Sequence, residues 1–183
     1  PSEKELDRKT FPRLLAMSEV LWTFRKDKFE NFQNRVEHHY SILSKLNVHY
    51  GIESSPVRLS SIINDRRINA VVNSKIKNLE FKYQWNDQDE KPLNKNGLIE
   101  IDKTGELILQ AYKNGKKYGN QKVEKFAVHL GLNSNVDYQY LYNSSYPAEG
   151  LSSLTNGRLG SLDFKDGQWQ GFSGKNLDVM ISL

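Results

Sequence analysis

The beginning of the chain has a hydrophobic pattern with a helical period. Between Thr10 and Trp22 residues recur at intervals of three and four, so that one face of the predicted helix is almost wholly apolar; this face contains Phe11, Leu14, Leu15, Ser18, Leu21 and Trp22. Thr10 is a suitable N-cap, and Pro12 is tolerated in the first turn, where its missing N–H would have no partner. A second helix is predicted over about 26–46, with Asp27 as its N-cap. An apolar face of this kind needs a sheet or further helices to pack against.

The second predicted helix has a seven-residue hydrophobic repeat. Its apolar face is expected to contain Phe29, Phe32, Val36, His39, Leu43 and Leu46. Adjacent residues on a helix point about 100° apart, so His38 and His39 cannot both ligate one metal ion. Packing therefore accounts for His39 better than ligation does. Asn47 tolerates the left-handed conformation that ends a helix.

Beyond Val48 the pattern changes to short runs with a period of two. In the clearest run, Leu79–Trp85, apolar residues alternate with polar ones, as in a strand with one buried face. Asn-Gly and Thr-Gly pairs and other turn signals separate the runs. Six or seven strands at this spacing predict a small antiparallel β-sandwich, immunoglobulin-like in outline. The runs lie at 57–62, 68–72, 79–85, 97–101, 106–112 and 125–130.

The composition changes again after Leu132. Residues 133–146 are rich in Asn, Ser and Tyr, and residues 177–183 alternate like a strand for which we expect no partner. About 50 residues are few beside the ~100 or more of a typical domain, so this last unit is expected to be incomplete. The predicted organisation therefore has three parts, 1–50, 51–132 and 133–183, in a chain that we expect to be a piece of a longer one.

Composition narrows the possible chemistry. The 183 residues contain no cysteine, which excludes disulfides, thiolate metal sites and cysteine nucleophiles. No apolar run approaches the ~18 residues of a membrane span. The net charge is +4, and the densest basic stretch, Lys113 to Lys125, favours a solvated hairpin over a patch for polyanions. We therefore predict neither a membrane span nor a nucleic-acid partner.

Few polar residues form a pattern that indicates a site. The segment Asp87-Gln-Asp89 begins like a calcium loop, but it lacks the glycine and the distal glutamate at the required spacing. Trp169 and Phe172 are candidates for a sugar platform, although the flanking glycines favour a core or turn role. The other candidates are expected to be turn carboxylates or caps (Glu149, Asp163, Asp166) or isolated structural histidines (His49, His129).

Three segments near the start of the chain carry a resemblance to a known family. They are Phe11-Pro-Arg-Leu-Leu-Ala-Met-Ser-Glu-Val-Leu-Trp22, Phe29-Glu-Asn-Phe-Gln-Asn-Arg35 and Leu43-Ser-Lys-Leu-Asn-Val-His-Tyr50. This series resembles the last barrel segment of the family 20 glycoside hydrolases, the β-N-acetylhexosaminidases. The family pattern is roughly F-P-R-x-x-A-x-x-E-x-x-W, then F-x-x-R, then L-x-x-x-G-V-x-Y. Asn47 replaces the usual glycine and also tolerates a positive φ.

The rest of the chain resembles the domains located after the barrel in the multidomain bacterial enzymes of this family. Phe81–Pro92 is similar to the Y-T-x-D-G-S-x-P turn of their β-sandwich, without its Gly and Ser. Leu154-Thr-Asn-Gly157, Trp169-Gln-Gly-Phe172 and Val179-Met-Ile-Ser-Leu183 are similar to the first strands of a discoidin-like (factor 5/8 type C) jelly roll. In that family an L-x-D-G turn often contributes to a calcium site. Asn156 takes the acidic position here, and no cofactor is predicted.

The resemblance implies a mixed, mostly β fold and the activity of a parent enzyme. The fold would contain the last helices of a (β/α)₈ barrel, an antiparallel immunoglobulin-like β-sandwich and the truncated start of a β jelly roll. The parent, exported to the bacterial periplasm, outer surface or medium, would remove terminal β-linked GlcNAc or GalNAc from glycans with retention of configuration. In this family the substrate's acetamido oxygen attacks the anomeric carbon, while an adjacent Asp-Glu pair orients the acetamide and protonates the leaving oxygen.

The catalytic residues of such an enzyme are expected outside this chain. Barrel sites lie at the C-terminal ends of barrel strands, whereas Asp89-Glu90 lies in a polar turn. The family's W-T-E sugar-binding motif is expected just before residue 1. We therefore predict no catalytic, substrate-binding or metal-binding residue in the chain and no hydrolase activity of the chain alone. The alternative is a carbohydrate- or protein-binding β-sandwich module without enzyme activity.

Overall fold

The computed structural model describes residues 2–23, 29–52, 56–64 and 66–183. Within these residues the fold is mostly β, with three α-helices followed by ten strands in three sheets. The chain divides into two compact units, Pro1–Ser55 with the helices and Pro56–Leu183 with the strands. Residues 133–183 thus lie in the same compact unit as the preceding strands, and their assignment to a separate domain stays a prediction.

The first unit consists of three helices, α1 (Glu3–Thr10), α2 (Arg13–Thr23) and α3 (Phe29–Lys45). The predicted start of α2 is wrong, because Thr10 ends α1 instead of capping α2. Phe11 is extended, at φ −102° and ψ 132°, as a residue before proline prefers, and this interrupts the helix. Asn47 has φ 56°, which confirms the predicted left-handed helix end. Asp27, the predicted cap of α3, lies outside the described residues.

The core of the first unit is small and is built on α3. Val36, Tyr40 and Leu43 are buried there. Around them pack Phe11, Leu15, Phe32, Val48, Tyr50 and Ile52. The expected inward position of His39 is wrong: His39 is exposed, and Tyr40 lies inside with its ring stacked on that of Tyr50, 4.4 Å between centroids. At 3.6 residues per turn Tyr40, four residues after Val36, shares its face, which a strict seven-residue repeat misses.

The second unit contains ten strands: β1 (Arg58–Asn64), β2 (Arg67–Asn73), β3 (Glu80–Trp85), β4 (Lys91–Pro92), β5 (Leu98–Ile101), β6 (Gly105–Lys113), β7 (Lys116–Phe126), β8 (Val136–Tyr138), β9 (Arg158–Leu159) and β10 (Val179–Ile181). They form a sheet in the order β1-β2-β5, a second in the order β4-β3-β6-β7-β9, and a two-stranded sheet of β8 and β10. Every pairing between these strands is antiparallel.

The two larger sheets share one hydrophobic core. Ile68 and Ala70 of β2 contribute from the smaller sheet, and Leu107 and Leu109 of β6 and Phe126 of β7 contribute from the larger one. All five side chains are fully buried, and along each strand the neighbours between them point to the other face. The arrangement is consistent with the predicted β-sandwich.

Two expectations about the strands are corrected. The run predicted at 125–130 is β7, which begins at Lys116 and ends at Phe126, because the polar first half of this strand shows no apolar alternation. The last residues of the chain do have a partner, since β10 pairs with β8 and places Met180 opposite Asp137. Strands of three residues are too short for a period of two to be recognised in the sequence.

Candidate functional site

α2 carries a stripe of exposed apolar side chains. Leu14, Met17, Val20 and Leu21 lie within about a third of the helix circumference, at about 100° per residue. Each of these four side chains, which we call the outer stripe, is between 51% and 62% exposed. Trp22 follows the stripe and is 85% exposed. Contiguous exposed apolar surface of this kind marks an interaction site.

Only part of the apolar face predicted for α2 packs within the first unit. Leu15 packs against the core around α3, as does Phe11 just before the helix. Leu14, Leu21 and Trp22 of the same predicted face lie in solvent. The helix therefore has one apolar side that α3 contacts and a second, the outer stripe, that no described residue of the unit buries.

Arg35 joins α3 to α2 by binding Glu19. Its Nε donates a hydrogen bond to Glu19 Oε2 at 3.0 Å, and its Nη2 contacts Oε1. The hydrogen bond from Arg35 holds the pKa of Glu19 below its usual value, partly offset by desolvation and supported by the charges of Arg35 and His39. Glu19 is the glutamate of the F-P-R-x-x-A-x-x-E-x-x-W pattern, and Arg35 is the arginine of F-x-x-R. The structure thus brings two motif residues together as a link between helices.

In the Asp89-Glu90 pair, the Glu90 carboxylate has a structural role, because Tyr112 and Lys82 bind it. Both oxygens of Glu90 accept hydrogen bonds from the Tyr112 hydroxyl, at 2.9 and 3.2 Å, and Lys82 Nζ lies 3.3 Å from Oε2. Desolvation raises the pKa of Glu90, but the hydrogen bonds from Tyr112 and Lys82 outweigh it, so this pKa lies below its usual value. The carboxylate ties the turn after β3 to the outer face of the larger sheet.

An ionic cluster with a buried centre, Arg158 and Glu124, lies at the edge of the larger sheet, and sequence reasoning missed it. Arg158 of β9 binds Glu124 of β7, with Nη2 to Oε1 at 2.6 Å, and its Nη1 contacts Glu149 Oε1. Asn156 Nδ2 donates to Glu149 Oε2 at 3.0 Å, and Lys122 Nζ lies 3.1 Å from Glu124 Oε2. Of the two roles expected for Glu149, the structure agrees with the turn and contradicts the cap, because the residue lies in a turn and its carboxylate binds Arg158 and Asn156 without making a cap hydrogen bond.

A polar cleft of about 510 Å³ opens beside this cluster. Its walls come from β1, from residues 133–137 and from the turn around residues 149–156. Thr155 stiffens the walls, because its hydroxyl donates to the Ser134 carbonyl at 3.0 Å and its carbonyl accepts the Asn133 N–H at 2.9 Å. The described residues of the lining include Asp137 and Glu149, and none of them is a Lys or Arg. The cleft therefore suits a neutral hydroxylated molecule better than an anion.

In the loop between β9 and residue 170, side chains form hydrogen bonds to backbone groups of the same loop. Asp163 caps the 3-10 helix Phe164–Asp166 by accepting the Lys165 N–H at 3.0 Å, and Asp166 accepts the N–H groups of Ser161 and Gln168, which confirms the first as a cap and the second as a turn carboxylate. Desolvation raises the pKa of Asp166, but the backbone hydrogen bonds hold it below its usual value. The Trp169 indole donates to the Ser161 carbonyl at 2.9 Å, consistent with the turn role predicted for it.

The remaining candidates form no site among the described residues. Lys122 pairs with Glu124 and Lys125 with Glu106, at 3.1 and 3.8 Å, so the charges of these two lysines of the basic stretch are balanced within β6 and β7. Within the described ranges no three His, Asp or Glu side chains are grouped so that they could hold a metal ion. His49 and His129 are exposed, and Phe172 is half-buried.

No family model matches the chain, and no curated protein is similar to it at a significant level. None of the helices in the described part of the chain has both the length and the apolarity that crossing a bilayer requires.

Proposed function

We propose that the chain is a non-catalytic C-terminal portion of an exported bacterial β-N-acetylhexosaminidase and that α2 packs against the catalytic barrel of that enzyme. The barrel would remove terminal β-linked GlcNAc or GalNAc by the substrate-assisted, retaining route. The helices of this chain would pack on the barrel as its last helical segment, and the β-sandwich would brace the barrel from outside. The observation that carries the proposal is the outer stripe of α2.

The position of the ion pair explains why the stripe is available to a barrel. At about 100° per residue, Glu19 lies on the side of α2 opposite the outer stripe. Its bond to Arg35 holds that side toward α3, so Leu14, Met17 and Leu21 face away from the helical core. Glu19 and Arg35 are also the residues through which the chain resembles the family. Motif and exposed surface therefore support the same role for α2.

The first test uses the isolated chain. We expect it to release no aryl alcohol from aryl β-GlcNAc substrates, because the catalytic pair is expected outside this chain and Glu90 of the Asp89-Glu90 pair is held by Tyr112 and Lys82. Measurable turnover would overturn the proposal.

The DNA preceding the codon for residue 1 is expected to encode W-T-E and, further upstream, an Asp-Glu pair after an apolar strand.

The second test uses the intact parent enzyme. Leu21→Glu places a charge in the proposed interface, and we expect it to lower the thermal stability and the hydrolysis rate. Ile62→Glu on β1 is the matched control, since Ile62 is 52% exposed and lies on the sandwich. Equal effects of the two substitutions on activity would contradict the packing of α2 on the barrel.

The polar cleft favours a second candidate function, a carbohydrate-binding module. Its size lies within the range of ligand pockets, and its walls are rich in Asn and Ser. Titration of the isolated chain with methyl glycosides, monitored by amide NMR, would show shifts around Asn133 and Ser152 if this function is correct. Shifts that Asn135→Ala leaves unchanged, or no shifts at millimolar sugar, would contradict it.

A further inference from the structure

The chain contains three Asn-Gly pairs, Asn96-Gly97, Asn114-Gly115 and Asn156-Gly157. The backbone nitrogen of a glycine is unhindered, because glycine has no Cβ. In an Asn-Gly pair this nitrogen can therefore attack the side-chain carbonyl carbon of the preceding asparagine. The three pairs differ in how far hydrogen bonds and burial restrain them. We infer that Asn114 is a site of spontaneous deamidation, with aspartate and isoaspartate as products.

Asn114 and Gly115 form the tip of the hairpin between β6 and β7. Their φ angles are 51° and 73°, as in the two-residue turns that favour Asn-Gly, and Lys113 pairs with Lys116 across the tip. Asn114 is exposed, and among the described residues its amide group has no hydrogen-bond partner. Apart from its chain neighbours, no residue places an atom within 4 Å of the position that a Cβ on Gly115 would take. The reacting groups are therefore free to approach each other.

The other two pairs are held in place. Asn156 is 5% exposed, its Nδ2 donates to Glu149 at 3.0 Å and its Oδ1 accepts the Arg158 N–H at 2.9 Å. In the first pair the nitrogen itself is engaged, because the Gly97 N–H donates to the Asn94 carbonyl at 3.1 Å. Attack at either position requires these bonds to break first.

Charge at the hairpin tip favours the reaction at Asn114. Lys113, Lys116 and Lys117 lie within three residues of it in the sequence. Positive groups stabilise the negative charge that develops on the Gly115 nitrogen and on the tetrahedral intermediate. They also stabilise the carboxylate of the product.

The reaction needs only water. The Gly115 nitrogen loses its proton to solvent base and forms a bond to Asn114 Cγ. Nδ2 takes up a proton from water as the Cγ–Nδ2 bond breaks, so that ammonia departs and a succinimide ring remains. Water then opens the ring at one of its two carbonyls and gives aspartate or isoaspartate. One carboxylate is gained, so the formal charge falls by one from +4. Isoaspartate also lengthens the backbone by one methylene, which the two-residue turn does not accommodate.

The test is prolonged incubation of the full chain in warm, mildly alkaline buffer. Isoaspartate is then labelled by a protein-isoaspartate methyltransferase with a radioactive methyl donor, and acidic species are separated by ion exchange. We expect most of the label and most of the acidic species to disappear in Asn114→Gln and to persist in the matched control Asn96→Gln. Asn114→Asp, which keeps a residue that tolerates positive φ, provides the elution standard.

Label that persists in Asn114→Gln and disappears in Asn96→Gln would overturn the inference, as would label that neither substitution reduces. Absence of label in the wild-type chain would overturn it as well. None of these outcomes depends on the proposed role of α2, so the two proposals fail independently.

Discussion

Arg158 donates two hydrogen bonds to one oxygen of Glu124, from Nε at 3.1 Å and from Nη2 at 2.6 Å. The side chains are 6% and 5% exposed, so the pair is buried between β9 and the edge of β7. Removing one partner breaks a buried pair, although Lys122 still neutralises Glu124 and Glu149 still neutralises Arg158 in part. We therefore expect Arg158→Ala and Glu124→Ala each to lower the free energy of unfolding by about 3 kcal/mol, the lower end of the range for broken buried pairs, measured by urea denaturation.

Arg67→Ala is the control for this prediction. Arg67 also binds a glutamate, Glu100, with 2.7 Å between Nη1 and Oε1, but the side chains are 65% and 56% exposed. An exposed pair contributes about 0–1 kcal/mol. If Arg158→Ala costs no more than Arg67→Ala, burial of the ionic cluster is not what stabilises the edge of the sheet.

Gly157 is expected to tolerate no side chain. A Cβ there would lie 2.4 Å from Ile68 Cδ1 and 2.7 Å from Leu132 Cδ2, inside the sandwich core, and φ is 69°. Overpacking costs about 1–3 kcal/mol, and a left-handed conformation costs an L-residue about 1–2 kcal/mol more. We expect Gly157→Ala to lower the free energy of unfolding by the sum of both, about 2–5 kcal/mol.

Gly167→Ala separates the two contributions. Gly167 has φ 83°, but nothing lies within 4 Å of its Cβ position, so only the backbone term of about 1–2 kcal/mol applies. Urea midpoints of the two variants, compared with wild type, give the difference. Equal losses would show that the core around Ile68 relaxes without cost.

Acid is expected to weaken the helical unit through Glu19. Its pKa is lower in the folded chain than its ordinary value of 4.5, so its contribution is fully present above that value. The contribution is lost as the pH falls through the lowered pKa. We expect Glu19→Gln to reduce the dependence of helix stability on pH in the acid range, measured by far-UV circular dichroism during heating. Arg35→Gln should reduce the same pH dependence, whereas Glu80→Gln on the sandwich should leave the pH dependence of helix unfolding unchanged.

Local patterns predicted much of the fold. The alternation from Leu79 to Trp85 is confirmed as β3, and the runs around Ile68 and Leu107 are confirmed as the core strands β2 and β6. These strands each have one face in the core, so burial imposes a period of two on the sequence. The left-handed end of α3 at Asn47 was predictable for a similar reason, since few residue types tolerate a positive φ.

Contacts between distant segments were not predictable from one sequence. Glu124 and Arg158 are 34 positions apart and lie on a polar strand and a two-residue strand, neither of which has a hydrophobic period. Arg35 and Glu19 could be linked only through the family motifs, because neither carries a local signal of pairing. The break between α1 and α2 was visible in principle, as Phe11 precedes proline, but the apolar period across it was stronger.

Leu43 and Val20 provide the sharpest comparison within the helical unit. Leu43 is buried in the small core, and Leu43→Ala should lower the free energy of unfolding by about 2–5 kcal/mol. Val20 belongs to the outer stripe, and Val20→Ala should change the free energy of unfolding by no more than about 0.5 kcal/mol in the isolated chain. Hydrogen exchange of the α3 amides measures both effects.

In the intact parent enzyme the proposal requires Val20→Ala to lower the free energy of unfolding markedly, because the stripe is then buried. A large loss already in the isolated chain would mean that another part of this chain covers the stripe, which would remove the main support for barrel packing.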